Sequence, residues 1–157
     1  MFTFVIGPNN SGKSAYAESI IAGLENNKRY YIATMIPFGE EGQARVKKHL
    51  KMRENLGMET LEDPYLEKVD IIESGADILL EDLSNLIANR LFERGPQTCE
   101  TVVNEILTLN EKATNLVVVS IGGILAEGYD EETICYINML NNLNEQLMQL
   151  ADQVVIK

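Results

Sequence analysis

Residues 7–14 of the chain read GPNNSGKS, a glycine-containing segment close to the first residue. Its first residue and its last three satisfy the pattern G-x-x-x-x-G-K-[ST], in which backbone N–H groups turn inward toward phosphate oxygens. The preceding run FTFVI, at 2–6, is typical of a buried strand, and the residues from about 12 to 24 have the pattern of a helix. A phosphate loop joins a strand to a helix, so we predict phosphate binding here rather than a structural turn.

Each residue type in the loop has a chemical reason. Glycine lets the backbone turn tightly, and the helix that follows adds the positive end of its dipole to the same anion. Lys13 is expected to reach the β- and γ-phosphates as a catalytic residue, and the Ser14 hydroxyl is expected to ligate Mg²⁺. The predicted nucleotide-binding residues of the loop are Gly7, Pro8, Asn9, Asn10, Ser11, Gly12, Lys13 and Ser14.

Apolar, strand-like runs alternate along the chain with segments of helical periodicity. Beyond the first strand, extended segments are predicted at 29–34, 58–62, 77–81, 115–120 and 153–157, and helices near 12–24, 40–56, 83–92, 98–111 and 130–150. This alternation predicts an α/β fold of the P-loop NTPase-like kind, with a mainly parallel sheet and helices on both faces. No linker or repeat divides the sequence, so we expect one domain over residues 1–157.

The composition narrows the function classes. The net charge of −11 argues against a nucleic-acid-binding surface. No apolar stretch approaches the roughly 20 residues of a membrane-spanning helix. The two cysteines, Cys99 and Cys135, match no metal-binding or redox spacing. We therefore expect a cytoplasmic protein with free, partly buried thiols.

An acidic pair lies at the end of the strand predicted at 77–81. The run ILLED supplies Glu81 and Asp82, and a P-loop protein holds Mg²⁺ with a carboxylate at the end of a neighbouring strand. Asp82 also stands where it would cap the helix that starts at Leu83, and the two roles are compatible. The predicted metal-associated residues are Ser14, Glu81 and Asp82.

The only histidine of the chain, His49, lies within a basic cluster. Five of the thirteen basic residues fall within nine positions, from Arg45 to Arg53. On a helix, Arg45, His49 and Arg53 would share one side, which suits a nucleophile attacking a triphosphate held by cations. The alternative is a surface histidine on a solvated, charged helix.

The ordered set of motifs along nearly the whole chain resembles the bifunctional adenosylcobinamide kinase/adenosylcobinamide-phosphate guanylyltransferase family of cobalamin assembly. The shared motifs begin with GxxxSGKSxxAE (Gly7 to Glu18), YIAT (Tyr31 to Thr34), ARVxxHxxxR (Ala44 to Arg53) and T-x-E (Thr60 to Glu62). They continue with the ILLED strand and its helix, and with N-x-x-L-x-x-x-A-D-x-V (Asn144 to Val154).

The resemblance implies a P-loop α/β enzyme, usually trimeric, with two activities. A nucleoside triphosphate, ATP or GTP, phosphorylates the aminopropanol hydroxyl of the corrinoid adenosylcobinamide. GTP then guanylylates the matching histidine, here His49, and GMP passes to the phosphorylated product. The family contacts guanine nucleotide at positions that correspond here to Thr34, to the Leu50–Arg53 stretch including Arg53, to Glu62 and to Glu81.

The chain also departs from the family pattern. Ser120 to Gly123 replace the family's Asn-Glu-Val-Gly motif, Arg53 is followed by Glu54 rather than proline, and the family's C-terminal hairpin has no counterpart up to Lys157. Two alternatives therefore stand beside the bifunctional enzyme. One is a diverged relative with a single half-reaction or another small substrate, and the other is a non-catalytic nucleotide-binding protein.

Overall fold

A computed structural model describes residues 1–24 and 27–157. These residues form six strands, five α-helices and one 3₁₀ turn at Val69–Ile71. The strands are β1 (Phe2–Gly7), β2 (Arg29–Ala33), β3 (Met58–Glu62), β4 (Asp77–Glu81), β5 (Asn115–Ile121) and β6 (Gln153–Ile156). The α-helices are α1 (Lys13–Ala22), α2 (Gly39–Asn55), α3 (Leu83–Glu93), α4 (Cys99–Lys112) and α5 (Glu131–Leu150).

The six strands form one parallel sheet in the order β3-β2-β4-β5-β1-β6. The central strands are apolar and buried because helices cover them on both faces, as the run NLVVVS in β5 predicts. β5 lies between β1 and β4, so the phosphate loop after β1 and the acidic pair at the end of β4 are two strands apart at the same edge. The prediction of a mainly parallel sheet is confirmed.

Side chains that alternate along the strands divide the core into two layers. Val5, Tyr31 and Leu79 point to the face covered by α1, where they pack with Ala17 and Ile21. The neighbouring strand residues point to the opposite face, which α3, α4 and α5 cover with a larger cluster of buried leucine, isoleucine and valine. Helices on both faces are therefore confirmed, and α1 and α2 share the face that carries the candidate site.

Three helices begin at side-chain caps that the sequence supplies. Asp82 accepts a hydrogen bond from the backbone N–H of Asn85 at 2.7 Å and caps α3. Thr98 caps α4, and Asp130 accepts from the N–H of Thr133 at 2.8 Å and caps α5. These side chains satisfy backbone donors that the first helical turn leaves unpaired. The predicted capping role of Asp82 is confirmed.

Helix α2 differs from the others because it buries only one of its residues, Arg53. It packs on the end of the sheet near β3, while most of its charged side chains face outward. Several apolar side chains around it are also exposed, among them Phe38 at 83% and Met52 at 53%. α2 therefore forms one wall over the sheet edge rather than part of the core.

No helix within residues 1–24 and 27–157 is both long enough and apolar enough to cross a membrane. Cys99 and Cys135 are free thiols, as predicted. Cys99 is half-buried, but Cys135 is exposed on α5, so the expectation of partial burial is wrong for that residue.

Candidate active site

The candidate site lies at the edge of the sheet where the parallel strands end. Strand register places Ala33, the last residue of β2, beside Glu62 of β3 and Glu81 of β4. Gly7, at the end of β1, pairs with Ile121 of β5 along the same edge. Ligands of open α/β sheets bind outside these carboxyl ends, because the loops that follow them converge there.

The phosphate loop needs glycine at two positions, for different reasons. Gly12 precedes α1 with a φ of 83°, a left-handed conformation that favours glycine. At Gly7 the problem is space, because an added Cβ would come within 2.8 Å of the Ser11 hydroxyl and 3.1 Å of the Lys157 backbone. Gly12 is thus favoured by the backbone conformation, and Gly7 by the close approach of Ser11 and Lys157.

Lys13 closes this loop. Its ammonium group donates a hydrogen bond to the carbonyl oxygen of Pro8 at 3.1 Å, and the side chain is buried. The Ser11 hydroxyl is also buried and has no hydrogen-bond partner within residues 1–24 and 27–157. Pro8, Asn9 and Asn10 are exposed on the outside of the loop. An anion in the loop would give Ser11 a partner and draw Lys13 away from Pro8.

A cavity of about 450 Å³ opens beside the loop, between α1, α2 and the ends of β2, β3 and β4. Its walls contain Ala33, Met35 and Pro37, together with a group of polar and charged side chains. Those polar residues are Ser14, Glu18, Tyr31, Arg45, His49, Arg53, Thr60, Glu62, Glu81, Asp82 and Asn85. Six residues proposed from the sequence are brought together here: Ser14, His49, Arg53, Glu62, Glu81 and Asp82.

His49 faces this cavity from α2. Arg45 lies one turn before it and Arg53 one turn after it, and all three line the cavity. Arg45 and His49 are exposed at its mouth, whereas Arg53 is buried at its base. The shared helix face expected from the spacing is therefore present, and it is turned toward the end of the phosphate loop.

Arg53 is held against β2 and β3. Its guanidinium carbon lies 3.8 Å from the centre of the Tyr31 ring, and its Nε donates to the Thr60 hydroxyl at 3.3 Å. The Tyr31 hydroxyl in turn donates to the Oε2 carboxylate oxygen of Glu81. These contacts fix a cation and a carboxylate at the base of the cavity.

Burial changes the acidities of this region. Loss of solvent and the nearby Glu81 carboxylate raise the pKa of Glu18, which Arg53 partly offsets. Burial and Glu81 also raise the pKa of Tyr31, so the phenol stays protonated and remains a donor. Burial raises the pKa of Asp82 although Ser84 and Asn85 both donate to it. Loss of solvent is thus the largest cause of all three pKa shifts.

Thr34 is placed differently from the other proposed residues. It is fully buried, and its hydroxyl both donates to the carbonyl oxygen of Asp82 and accepts from the N–H of Asp82, each at 2.8 Å. It is not among the cavity-lining residues of the described chain. Its side chain ties the end of β2 to the end of β4, beside the cavity rather than in it.

Sequence reasoning assigned no role to Glu18, Tyr31 or Thr60. All three lie within motifs quoted for the resemblance, and all three line the cavity. The sequence could have indicated Glu18 as a site residue, because it follows Ser14 by four residues on α1 and must share its helix face. Tyr31 and Thr60 are adjacent only through the pairing of β2 with β3, which the local sequence does not specify.

Oxygen ligands for a magnesium ion are available at the inner end of the cavity. Ser14 and Asp82 line it together, and Oδ1 of Asp82 is already occupied by Ser84 and Asn85. Within the described residues, no three His, Cys, Asp or Glu side chains are grouped to hold a metal ion. Mg²⁺ bound with nucleotide needs no such cage, because phosphates and waters complete its coordination. The donor set therefore fits Mg²⁺ carried in with a triphosphate.

Comparison with known proteins gives one family match. The sequence model of a family described as cobinamide kinase / cobinamide phosphate guanyltransferase matches residues 3–157. No curated protein matches the chain.

Among solved structures, the fold is similar to a prototypical ATPase from the type III secretion system of pathogenic bacteria, with a TM-score of 0.56 and 12% sequence identity. The alignment covers 99% of this chain and 51% of the ATPase, so the chain spans about half the length of that protein. At this identity the likeness supports the P-loop ATPase fold and nothing more.

Proposed function

The chain belongs to the cobinamide kinase / cobinamide phosphate guanyltransferase family, and on that premise we propose that it phosphorylates adenosylcobinamide and then transfers GMP to the product through His49. The enzyme class and the place in cobalamin biosynthesis follow from the family. The observation that supports the residue roles is the single cavity joining Ser14, at the end of the phosphate loop, to His49 on α2.

In the guanylyl transfer, a ring nitrogen of His49 attacks the α-phosphorus of GTP. A nitrogen–phosphorus bond forms, the bond from that phosphorus to the bridging oxygen breaks, and pyrophosphate leaves. A phosphate oxygen of adenosylcobinamide phosphate then attacks the same phosphorus and releases the imidazole. Arg45 and Arg53 flank His49 along the helix and would stabilise the charge on the phosphates.

In the kinase reaction, the aminopropanol hydroxyl attacks the γ-phosphorus of a nucleoside triphosphate, and the nucleoside diphosphate leaves. The loop backbone and Lys13 would hold the phosphates in place. Mg²⁺, held through Ser14, Glu81 and Asp82, would neutralise charge on the phosphate oxygens when bound. Glu62, at the end of β3, and Glu81, at the end of β4, lie on either side of β2 and would contact the nucleoside.

Four further expectations join this proposal. Residues 1–157 act as one domain, which is supported by both helix layers packing on one sheet. The free thiols Cys99 and Cys135 support a cytoplasmic location. The family resemblance supports a homotrimer, and exposed apolar side chains such as Phe38 offer surface for it. ATP and GTP are both proposed as phosphate donors.

The decisive experiment is covalent labelling. We expect wild-type protein, incubated with Mg²⁺ and GTP labelled at the α-phosphate, to acquire an acid-labile, base-stable label, as a phosphoramidate would. His49→Ala should abolish it, and Lys48→Ala, at an exposed neighbour that does not line the cavity, should retain it. A label that persists in His49→Ala would contradict the role of His49 as the nucleophile. The absence of any label on wild-type protein would contradict the proposed guanylylation.

A further inference from the structure

Tyr31 contacts two oppositely charged side chains of the cavity with two different parts of its own side chain. The face of its ring lies against the Arg53 guanidinium, with 3.8 Å from the guanidinium carbon to the ring centre. Its hydroxyl donates to a carboxylate oxygen of Glu81. Tyr31 itself is buried in the middle of β2, on the face that carries the site.

The two charged groups do not neutralise each other. Within residues 1–24 and 27–157, Arg53 and Glu81 form no ion pair, although both line the same cavity. In the same part of the chain, the only hydrogen bond of the Arg53 side chain uses Nε, so its two terminal nitrogens are left for a ligand. One oxygen of Glu81 is occupied by Tyr31, and the other is left as well.

Arg53 is buried and Glu81 is half-buried, so the two charges would attract each other more strongly than in bulk water. The Tyr31 ring contacts Arg53 and the Tyr31 hydroxyl contacts Glu81, so each charged group has a partner other than a direct salt bridge. A cavity prepared in this way presents a donor fork to phosphate oxygens and, apart from it, an acceptor to another group of the ligand.

We infer that Tyr31 is a positioning residue, whose ring sets Arg53 for binding the phosphates of GTP and whose hydroxyl orients Glu81 for the transfer step. The inference rests on the proposed guanylylation of His49. It adds that two functions of one side chain can be separated by substitution, because Phe keeps the ring and removes only the hydroxyl.

The neighbouring tyrosine supplies a matched control. Tyr30 is as deeply buried as Tyr31, but it points to the opposite face of the sheet. Its hydroxyl accepts a hydrogen bond from the N–H of Glu73 at 3.4 Å, and it is not among the residues that line the cavity. Tyr30→Phe therefore removes a buried phenol hydroxyl from the same strand without touching the site.

The test measures GTP dissociation constants by calorimetry and the single-turnover rate constant of His49 guanylylation at saturating GTP. We expect Tyr31→Phe to lower the rate constant about tenfold, the effect of one lost orienting hydrogen bond, with the dissociation constant unchanged. Tyr31→Leu should in addition weaken GTP binding about tenfold, because Arg53 loses its support. Tyr30→Phe should change neither quantity.

Two further variants keep both halves of the inference testable even if Tyr31→Leu does not fold. Arg53→Lys retains the charge but loses the planar stacking, and should weaken GTP binding. In a Glu81→Gln background, Tyr31→Phe should cause no additional loss of rate, because the charged carboxylate that the hydroxyl orients is already replaced by a neutral amide.

The inference is overturned if Tyr31→Phe behaves like Tyr30→Phe, or if its effect multiplies fully with that of Glu81→Gln. Unchanged GTP binding in Arg53→Lys overturns the part concerning the ring. Failure of the proposed function looks different, because wild-type protein would then acquire no label on His49 at all.

Discussion

The ammonium group of Lys13 donates to the carbonyl oxygen of Pro8 across the mouth of the phosphate loop, at 3.1 Å. The lysine is therefore kept within the loop by a neutral acceptor that a phosphate can replace. A charged acceptor forms the stronger bond, so a bound triphosphate would draw the ammonium group from Pro8 to its own oxygens.

Lys13→Ala removes this cation, and we expect it to weaken ATP and GTP binding at least about tenfold and to abolish phosphorylation of adenosylcobinamide. Calorimetry and a kinase assay measure the two effects. Lys28→Ala is the control, because Lys28 precedes β2 and lies at the opposite edge of the sheet. Full binding by Lys13→Ala would contradict a phosphate role for this lysine.

Arg45→Ala should raise the GTP concentration needed for half-maximal labelling of His49 by about threefold at low salt, because it removes a cation at the cavity mouth. Arg45 is exposed, so added salt should shrink the difference from wild type. Lys47→Ala provides the comparison: it removes the same charge from an exposed position of α2 that does not line the cavity. Equal effects of the two substitutions would mean that only overall charge matters.

Glu18 should make the free protein less stable as pH rises. Burial and Glu81 raise its pKa above the ordinary value of 4.5, so between that value and the raised one the folded state holds a proton that the unfolded chain has lost. The free energy of unfolding therefore falls with rising pH across this window. Glu18→Gln should be more stable than wild type at about pH 7.5, and the difference should disappear below about pH 4.5. Urea unfolding at several pH values measures it.

Asp130 is a control, because its effect on stability should change with pH in the opposite direction to that of Glu18. The hydrogen bonds from Thr133 lower its pKa from the ordinary value of 3.8. Its contribution to stability is therefore present above that value and is lost as pH falls through the lowered pKa. Asp130→Asn should be less stable than wild type near neutral pH, with a difference that fades in acid. If the stability difference from wild type changed with pH in the same direction for both variants, the opposite pKa shifts assigned to Glu18 and Asp130 would be refuted.

Asn144→Ala should lower the free energy of unfolding by about 1–3 kcal/mol, because it removes one partner from a buried pair of hydrogen bonds. The Asn144 amide accepts from the Ser120 hydroxyl at 2.6 Å and donates to the carbonyl oxygen of Ile121 at 3.0 Å. Asn142→Ala, at an exposed position of α5, should cost less than about 0.5 kcal/mol. If urea unfolding gave the same loss of free energy for Asn144→Ala and Asn142→Ala, the buried pair of hydrogen bonds would contribute nothing to stability.

The local sequence predicted most elements to within one or two residues. The run NLVVVS marks β5, observed as Asn115–Ile121, and the helix expected near 130–150 is Glu131–Leu150 behind its Asp130 cap. Such features depend on apolar periodicity and on side chains that bond to backbone a few residues away, and both are written in short stretches of sequence.

Side-chain partners at long range were less predictable. Thr34 belongs to a motif that implied nucleotide contact, and the structure commits its hydroxyl to the backbone of Asp82, 48 residues away. Tyr31 belongs to the YIAT motif but had no predicted role, although it contacts two proposed ligand-binding residues, Arg53 and Glu81. Neither partnership follows from spacing, because each depends on which strands are neighbours.

The sequence alone determined the phosphate loop, the alternation of strands and helices, and the placing of Arg45, His49 and Arg53 on one helix face. These follow from local backbone geometry: the turn that Gly7 and Gly12 permit, and the periodicity of a helix. The meeting of this face with the end of the phosphate loop in one cavity depends instead on the packing of α2 against the sheet. Strand order contributes as well, because β2 lies between β3 and β4 and brings Tyr31 within reach of both Arg53 and Glu81.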